Sequence, residues 1–550
     1  MPLLVAVTIA LLAVRLWAAA EVGFGDSEAL YASWALHPQP AYLDHPGIVG
    51  VVARAIGAGA APSPLRAHLV TTVIATALPW QVLGTARLAG AAARPAAIAA
   101  VVVAVVPELA VGLFALTPDL VLAPLWLATI ALAIVGLRPA REAPPSSGRG
   151  REERRLEPRR VAALLAAGLL AGIAAAAKVS GLLLVLALVV VHADAARSRD
   201  QGVARIARSI WPWAGIAAGL VVTMPIVLYE ARLGFPMLRH RFVDTQHGAG
   251  LAVANAGQLL GGQLLYLSPV VAWLAYVVAR DLVRTRAGAD TAGRILFFTF
   301  AIPLVPLVIL CLWSPVAEPH WIAPALLALP LHAARRPGAL GGLRPRVVRA
   351  GAAIAAAITA LAHAWVLVPA SARILPDSAD PKLDIANELH GWPEAVAVIR
   401  AQLATAATPF DPEGHDVVVL GPHWTVCAQL HVALVGVRVG CATPMKDDFD
   451  RWFPRDDWRR ADDVLWVTDN RFPGDGAEQL PAHVRVSHRV VPVVRGGRTV
   501  RTFHLYQYAR LQHAQGSGEP ADGIVLRPAS RISARSSSAD GFGVVRSFSP

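Results

Sequence analysis

Residues 25–50, GDSEALYASWALHPQPAYLDHPGIVG, gather Asp26, Glu28, Asp44 and His45 into one short connection between two apolar stretches. Acidic groups are costly near a bilayer, so this set points to work on something held in lipid or delivered by it. A carboxylate can take the proton of an attacking hydroxyl, and a cationic side chain can stabilise charge on a departing phosphate. The same residue types recur further along the chain. Asp119 lies in TPD (117–119) and Lys178 in AAKVSG (176–181). Arg239, Arg241, Asp244 and His247 fall in the 230–250 stretch, and Glu318 and His320 in SPVAEPHW (314–321).

Each of these residues also has a plainer explanation. Asp119 ahead of VLAPLWLA suits a helix start, where a carboxylate accepts backbone N–H bonds and meets the positive end of the helix dipole. Lys178 could snorkel to the interface, although it is the only lysine in the first 380 residues. Asp44-His45-Pro46-Gly47 has the composition of a turn. Tyr31, Trp34, Trp321 and Trp365 are most simply interfacial aromatics, although aromatic faces also suit sugar rings.

The elements that must position these groups are membrane helices. The chain has 550 residues, of which 55% are hydrophobic and 16% charged, with long Ala/Leu/Val runs. Spans are predicted near 3–20, 66–86, 95–114, 120–137, 161–177, 180–194, 210–229, 257–279, 295–313, 321–334 and 350–369, about eleven in all. The formal charge of +12 would suggest nucleic acid in a soluble chain. Here arginine is concentrated in the short connections between apolar runs, which is a topology signal. With the N-terminus inside, Arg87, Arg94, the stretch 138–160, Arg197–Arg208, Arg280–Arg294 and Arg335–Arg349 are all cytoplasmic. The polar residues above then share the opposite face, with the first outer loop at about 21–64.

The stretch 141–160 combines Pro, Gly, Ser and mixed charge, and is expected to be a flexible cytoplasmic loop within 138–160. Beyond residue 370, Asp, Pro and Trp rise. The runs DVVVLG (416–421), DVLWVT (463–468) and VRTFHLYQY (500–508) read as strands. The expected organisation is a transmembrane domain over 1–369, an extracytoplasmic α/β domain over 370–511 and an unstructured tail over 512–550.

The motifs GDSEALY and YLDHP resemble the first loop of bacterial membrane glycosyltransferases of the C-type (GT-C) fold. The family is the protein O-mannosyltransferase and aminoarabinose transferase superfamily, and its members carry a D-E-A-x-Y start and a Y-x-D-H-P end. TPD, the lysine turn AAKVSG, AEPHW (317–321) and ELHGWPE (388–394) continue the resemblance, which covers most of residues 1–510. The resemblance makes residues 1–20 a retained first span. Counting back from Trp34, which sits ten residues before Asp44 as in the family, the family's leading Asp falls on Ser27 rather than Asp26, so the acid is displaced by one position. Asp26 is the nearest counterpart, with Glu28 second.

The resemblance implies transfer of a sugar from a polyprenyl-phosphate donor to a lipid, glycan or protein hydroxyl at the outer face of a bacterial inner membrane. Asp26, Glu28 and Asp119 are the candidate catalytic acids. Lys178, with Arg239 or Arg241, would hold the phosphate, and Asp44, His45, Glu318 and His320 would bind substrate. A single carboxylate base implies inversion at the anomeric carbon. A divalent cation could bind such residues, but no tight ligand spacing such as HExxH or CxxC appears, so no cofactor is expected. Cys427 and Cys441 could form a disulfide on an oxidising face, whereas Cys311 reads as core. The rival class is a transporter or flippase of a lipid-linked glycan, which would place ionisable groups at the midplane.

Overall fold

The computed structural model describes residues 1–138, 157–376, 378–406 and 417–511. Most of the predicted 141–160 loop and the whole 512–550 tail lie outside the described residues. The chain forms two compact units. The first comprises Met1–Asp377 with Glu388–Trp392 and Arg495–Arg498, and the second Ser378–Asn387, Pro393–Val494 and the residues from Thr499 on. ELHGWPE is thus divided, because its first residues bond to the start of the first loop. The Gly23 N–H donates to the Leu389 carbonyl at 2.8 Å, and the Asp26 N–H to Glu388 Oε2 at 3.4 Å.

In chain order the first unit carries α1 (Pro2–Glu21), α2 (Asp26–Ser33), α3 (Ile48–Ile56), α4 (Pro64–Leu88), α5 (Ala93–Val105) and α6 (Pro107–Ala110). Next come α7 (Pro118–Gly136), α8 (Pro158–Ala177), α9 (Gly181–Ala195), α10 (Gln201–Arg208), α11 (Ile210–Leu233) and α12 (Pro236–Arg239). The series closes with α13 (Val253–Tyr266), α14 (Pro269–Thr285), α15 (Thr291–Trp313), α16 (Ala323–Leu326), α17 (Ala328–Arg335) and α18 (Pro345–Leu367). Many open on proline, whose missing N–H costs nothing in the first turn.

Seven of these helices, α1, α4, α7, α8, α11, α15 and α18, are long and apolar enough to cross a membrane among the described residues. Two further predicted spans are bent pairs, by 71° after Val105 and by 106° after Tyr266, which brings the number to at most nine. The remaining two expected spans fall short. Gly181–Ala195 has 15 residues, and the 321–334 segment is divided between a 3₁₀ turn at Pro319–Ile322, α16 and α17. Composition showed eleven apolar segments, but hydropathy does not register where a segment bends or stops.

The bend after Val105 exposes backbone carbonyls that a bilayer cannot satisfy. Arg15, buried within α1, donates to the Leu109 and Ala110 carbonyls at 3.3 and 3.0 Å, and Thr359 Oγ1 donates to the Val105 carbonyl at 2.8 Å. A charge inside the first span therefore serves the break. Elsewhere, Gly168 and Gly172 of α8 face Gly215 and Gly219 of α11 so closely that a Cβ at any of them would meet the opposing backbone. Small residues one turn apart let these two backbones touch, in the manner of the GxxxG contact.

The second unit holds a five-stranded sheet of order β2-β1-β3-β5-β4. Its strands are β1 (Val417–Gly421), β2 (Val439–Cys441), β3 (Asp463–Asp469), β4 (His483–Arg495) and β5 (Arg498–Arg510). β1 pairs in parallel with β2 and β3, and β3 pairs antiparallel with β5. The three expected strand runs coincide with β1, β3 and β5. β4 was not expected, because an edge strand with solvated faces carries charge where a core strand carries valine. Trp458, Trp466, Val418 and Tyr508 form the core beneath the sheet. Cys427, in the helix Trp424–Ala433, is disulfide-bonded to Cys441 at the end of β2.

Candidate active site

α2 begins where the chain leaves α1, with Asp26 as its first residue and Glu28 in its first turn. Glu28 is buried and spans three elements. Its Oε2 accepts from the Gly25 N–H at 3.0 Å, its Oε1 accepts from the Leu116 N–H at 2.7 Å, and His68 Nε2 of α4 lies 3.2 Å from Oε1. Both oxygens are thus engaged, and Glu28 ties α2 to the segment that delivers Asp119 three residues later. His68 is itself clamped between Phe24 and Phe114. Asp26 is buried, with its N–H towards Glu388.

The YLDHP turn is closed by backbone bonds. The Tyr42 N–H donates to the His45 carbonyl at 3.0 Å and the Gly47 N–H to the Pro40 carbonyl at 2.8 Å. A Cβ at residue 47 would strike the Gln39 carbonyl, so glycine is required there. Tyr42 stacks on Trp34 at 4.0 Å, and its hydroxyl donates within the same loop. Trp34, Tyr31 and Trp321 are buried, not interfacial as expected, because the loop folds onto the helices and takes their rings inside.

Around this turn, five connections converge on one charged cluster. Lys178, at the end of α8, lies 2.7 Å from Asp119 Oδ2 and is buried. This excludes the snorkelling reading. Asp119 caps nothing with its side chain, since Thr117 is the N-cap residue and Asp119 turns instead to its partners. His320 Nε2 lies 3.5 Å from the same Asp119 oxygen, and its Nδ1 lies 2.8 Å from Glu318 Oε2. An imidazole flanked by two carboxylates donates from both nitrogens only when protonated. Burial alone would lower the His320 pKa, but the hydrogen bonds to Asp119 and Glu318 raise it to about 10.

Arg241 occupies a short π-type turn, His240–Asp244, after α12. It donates to the Asp44 carbonyl at 3.2 Å, lies 3.6 Å from Asp44 Oδ1 and stacks over Trp321 at 5.1 Å. His240 Nε2 is 3.8 Å from the same carboxylate. His45 is buried and its Nδ1 has no hydrogen-bond partner among the described residues. Burial, Arg241 and Lys178 hold its pKa well below the usual histidine value, so it is a neutral imidazole among charges.

The structure thus brings together Asp44, His45, Asp119, Lys178, Arg241, Glu318 and His320. Arg239 stands apart, exposed and paired with Asp244 at 3.3 Å. Glu28 is occupied structurally. Two more groups approach the cluster, Tyr31, read above as an interfacial aromatic, and Glu108, which went unnoticed in the sequence. Tyr31 lies within electrostatic reach of Asp44, Arg241 and Asp119, and Glu108, at the α5–α6 break, is within reach of His320, Asp119 and Lys178. Glu108 follows a proline inside an apolar run, and an acid beside a helix breaker was the available signal. Among the described residues no group of three His, Cys, Asp or Glu side chains is arranged to hold a metal ion.

No family model and no curated protein matches the chain. Among solved structures it is similar to ArnT from Cupriavidus metallidurans, crystallised with undecaprenyl phosphate, at 17% identity and a TM-score of 0.56 over 91% of this chain and 97% of that one. The apo structure of the same protein gives a TM-score of 0.57 at 17% identity over the same shares. A looser likeness, with a TM-score of 0.48 at 12% identity over 85% of this chain and 69% of that one, is to the apo oligosaccharyltransferase of Archaeoglobus fulgidus. The chain is a multi-pass membrane protein with the GT-C fold, as its motifs led one to expect.

Proposed function

We propose that this chain is a membrane glycosyltransferase that moves a sugar from a polyprenyl-phosphate donor to a hydroxyl of a cell-envelope acceptor, on the outer face and with inversion. The observation that carries this reading is the buried pairing of Lys178 with Asp119 beside Arg241 and Asp44. Lysine has three donors and arginine five, so each cation keeps N–H groups for a phosphate while its carboxylate holds it in place. The similarity to a fold solved with undecaprenyl phosphate supports the donor class.

In this mechanism the acceptor hydroxyl attacks the anomeric carbon and passes its proton to a carboxylate. The bond from that carbon to the phosphate oxygen breaks, and Lys178 and Arg241 stabilise the charge that collects on the departing phosphate. Asp26 is the proposed base. Glu28 is disfavoured because both its oxygens already accept hydrogen bonds. Neutral His45, with a ring nitrogen unpartnered among the described residues, is available to a sugar hydroxyl.

The test is transfer from radiolabelled polyprenyl-phosphate sugars by membranes holding wild type, Asp26→Asn or Lys178→Met at matched expression. Transfer by wild type that falls at least a hundredfold in both variants is expected. If wild type transfers nothing from any such donor while the membranes still move labelled lipid-linked glycan across the bilayer, the transferase reading fails and the flippase reading replaces it.

A further inference from the structure

A cavity of about 920 Å³ lies within the first unit between α5, α14, α17 and α18. Its walls are apolar and include Ile98, Val102, Leu274 and Leu326. Its polar lining is unequal at the two ends. Arg94, at the start of α5, and Arg349, in the first turns of α18, line one end, and Glu108 lines the other. α5 and α18 both start at the arginine-rich connections that the positive-inside rule places on one face, so they run in the same direction, and Thr359 of α18 bonds to the Val105 carbonyl at the far end of α5. Arg94 is eleven residues before Val105 and Arg349 is ten before Thr359. At 1.5 Å per residue both arginines therefore sit about 15–17 Å from that contact. Both side chains are exposed, and neither has an ion pair or hydrogen bond among the described residues.

A depth of about 15 Å is half the hydrocarbon thickness of a bilayer, or one leaflet. We infer that this groove holds an anionic phospholipid of the arginine-rich leaflet, its phosphate on Arg94 and Arg349 and one acyl chain along α5 and α18. Charge decides the orientation. A lipid entering with its phosphate at the opposite end would meet Glu108, whereas two arginines free to bond a phosphodiester wait at this one. Such a lipid would fill an apolar void lined by α5, whose bend carries Glu108 towards Lys178 and Asp119.

The experiment uses the full chain, purified in detergent and stripped of lipid, with thermal unfolding followed on adding phosphatidylglycerol, phosphatidylethanolamine of the same acyl chains, inorganic phosphate or undecaprenyl phosphate. Phosphatidylglycerol is expected to raise Tm by several degrees, with phosphatidylethanolamine and inorganic phosphate giving little shift. Arg94→Glu/Arg349→Glu should weaken phosphatidylglycerol binding roughly thirty-fold, about fivefold or more for each arginine. Ile98→Trp keeps the charge but fills the groove, and should abolish the shift. Lys178→Met should leave it intact. Equal shifts from the two phospholipids, or a phosphatidylglycerol shift that survives the arginine and Ile98→Trp variants, would overturn the inference. So would undecaprenyl phosphate displacing phosphatidylglycerol from the groove.

Discussion

Asp119→Asn asks whether the carboxylate exists to hold Lys178. The ammonium lies 2.7 Å from Asp119 Oδ2 with a side-chain exposure of 8%, so the substitution leaves a buried cation without its partner. Breaking a buried pair in this way costs about 3–5 kcal/mol, and the partial exposure of Asp119, 23%, argues for the lower end, about 3 kcal/mol. Lys178→Met is expected to be milder, about 1 kcal/mol, because methionine occupies the lysine stem and Asp119 keeps His320 Nε2 at 3.5 Å. The double variant removes both charges and should be more stable than Asp119→Asn alone by about 1–2 kcal/mol, a clear departure from additivity. Activity should rank differently. Lys178→Met, although better folded than Asp119→Asn, should lose about 10²–10³ in transfer, since the cation acts on the leaving phosphate. The assay pairs unfolding followed by tryptophan fluorescence in nanodiscs with initial rates from a polyprenyl-phosphate sugar. Strictly additive stabilities would refute the pairing, and wild-type rates in Lys178→Met would refute the phosphate role.

Three further outcomes can be checked. Glu28→Gln should lose about 2–4 kcal/mol of stability together with activity, because an acceptor of the Gly25 or Leu116 N–H group is lost, whereas folded Asp26→Asn should bind donor and lose transfer. A folded Asp26→Asn variant that transfers sugar at the wild-type rate would remove it from the catalytic role. Cys427→Ala should destabilise the second unit by about 3 kcal/mol, the entropy of a loop closed over a separation of 14 residues, and reduction of wild type should match it. Asp447 in the same unit is pushed up to about 7 by burial and by Asp450. Its stabilising contribution is complete below the ordinary aspartate pKa and is lost as pH rises through about 7. Asp447→Asn should therefore gain several degrees over wild type at pH 8 and none at pH 4, as read from unfolding of the second unit. Equal gains at both pH values would show that the carboxylate is not the titrating group.

Residue types, order and apolar patterning were enough to identify a helical membrane protein, the runs that became β1, β3 and β5, and the loops that carry Asp44, His45, Asp119, Lys178, Arg241, Glu318 and His320. These features are local, since hydropathy, strand alternation and short motifs are written within a few residues. Only the tertiary structure decided how the residues are used. Glu28 and Asp26 stand two positions apart in one motif, yet the Leu116 N–H and His68, from distant parts of the chain, consume the first. Arg239 and Arg241 are equivalent in sequence, but one faces solvent beside Asp244 and the other lies over Trp321. Glu108 and Arg15 were hidden in apolar runs because a bend after Val105, invisible to hydropathy, gives both of them their work. Where two groups far apart in the chain compete for one partner, distance in space settles the outcome, and that distance is a property of the packed helices.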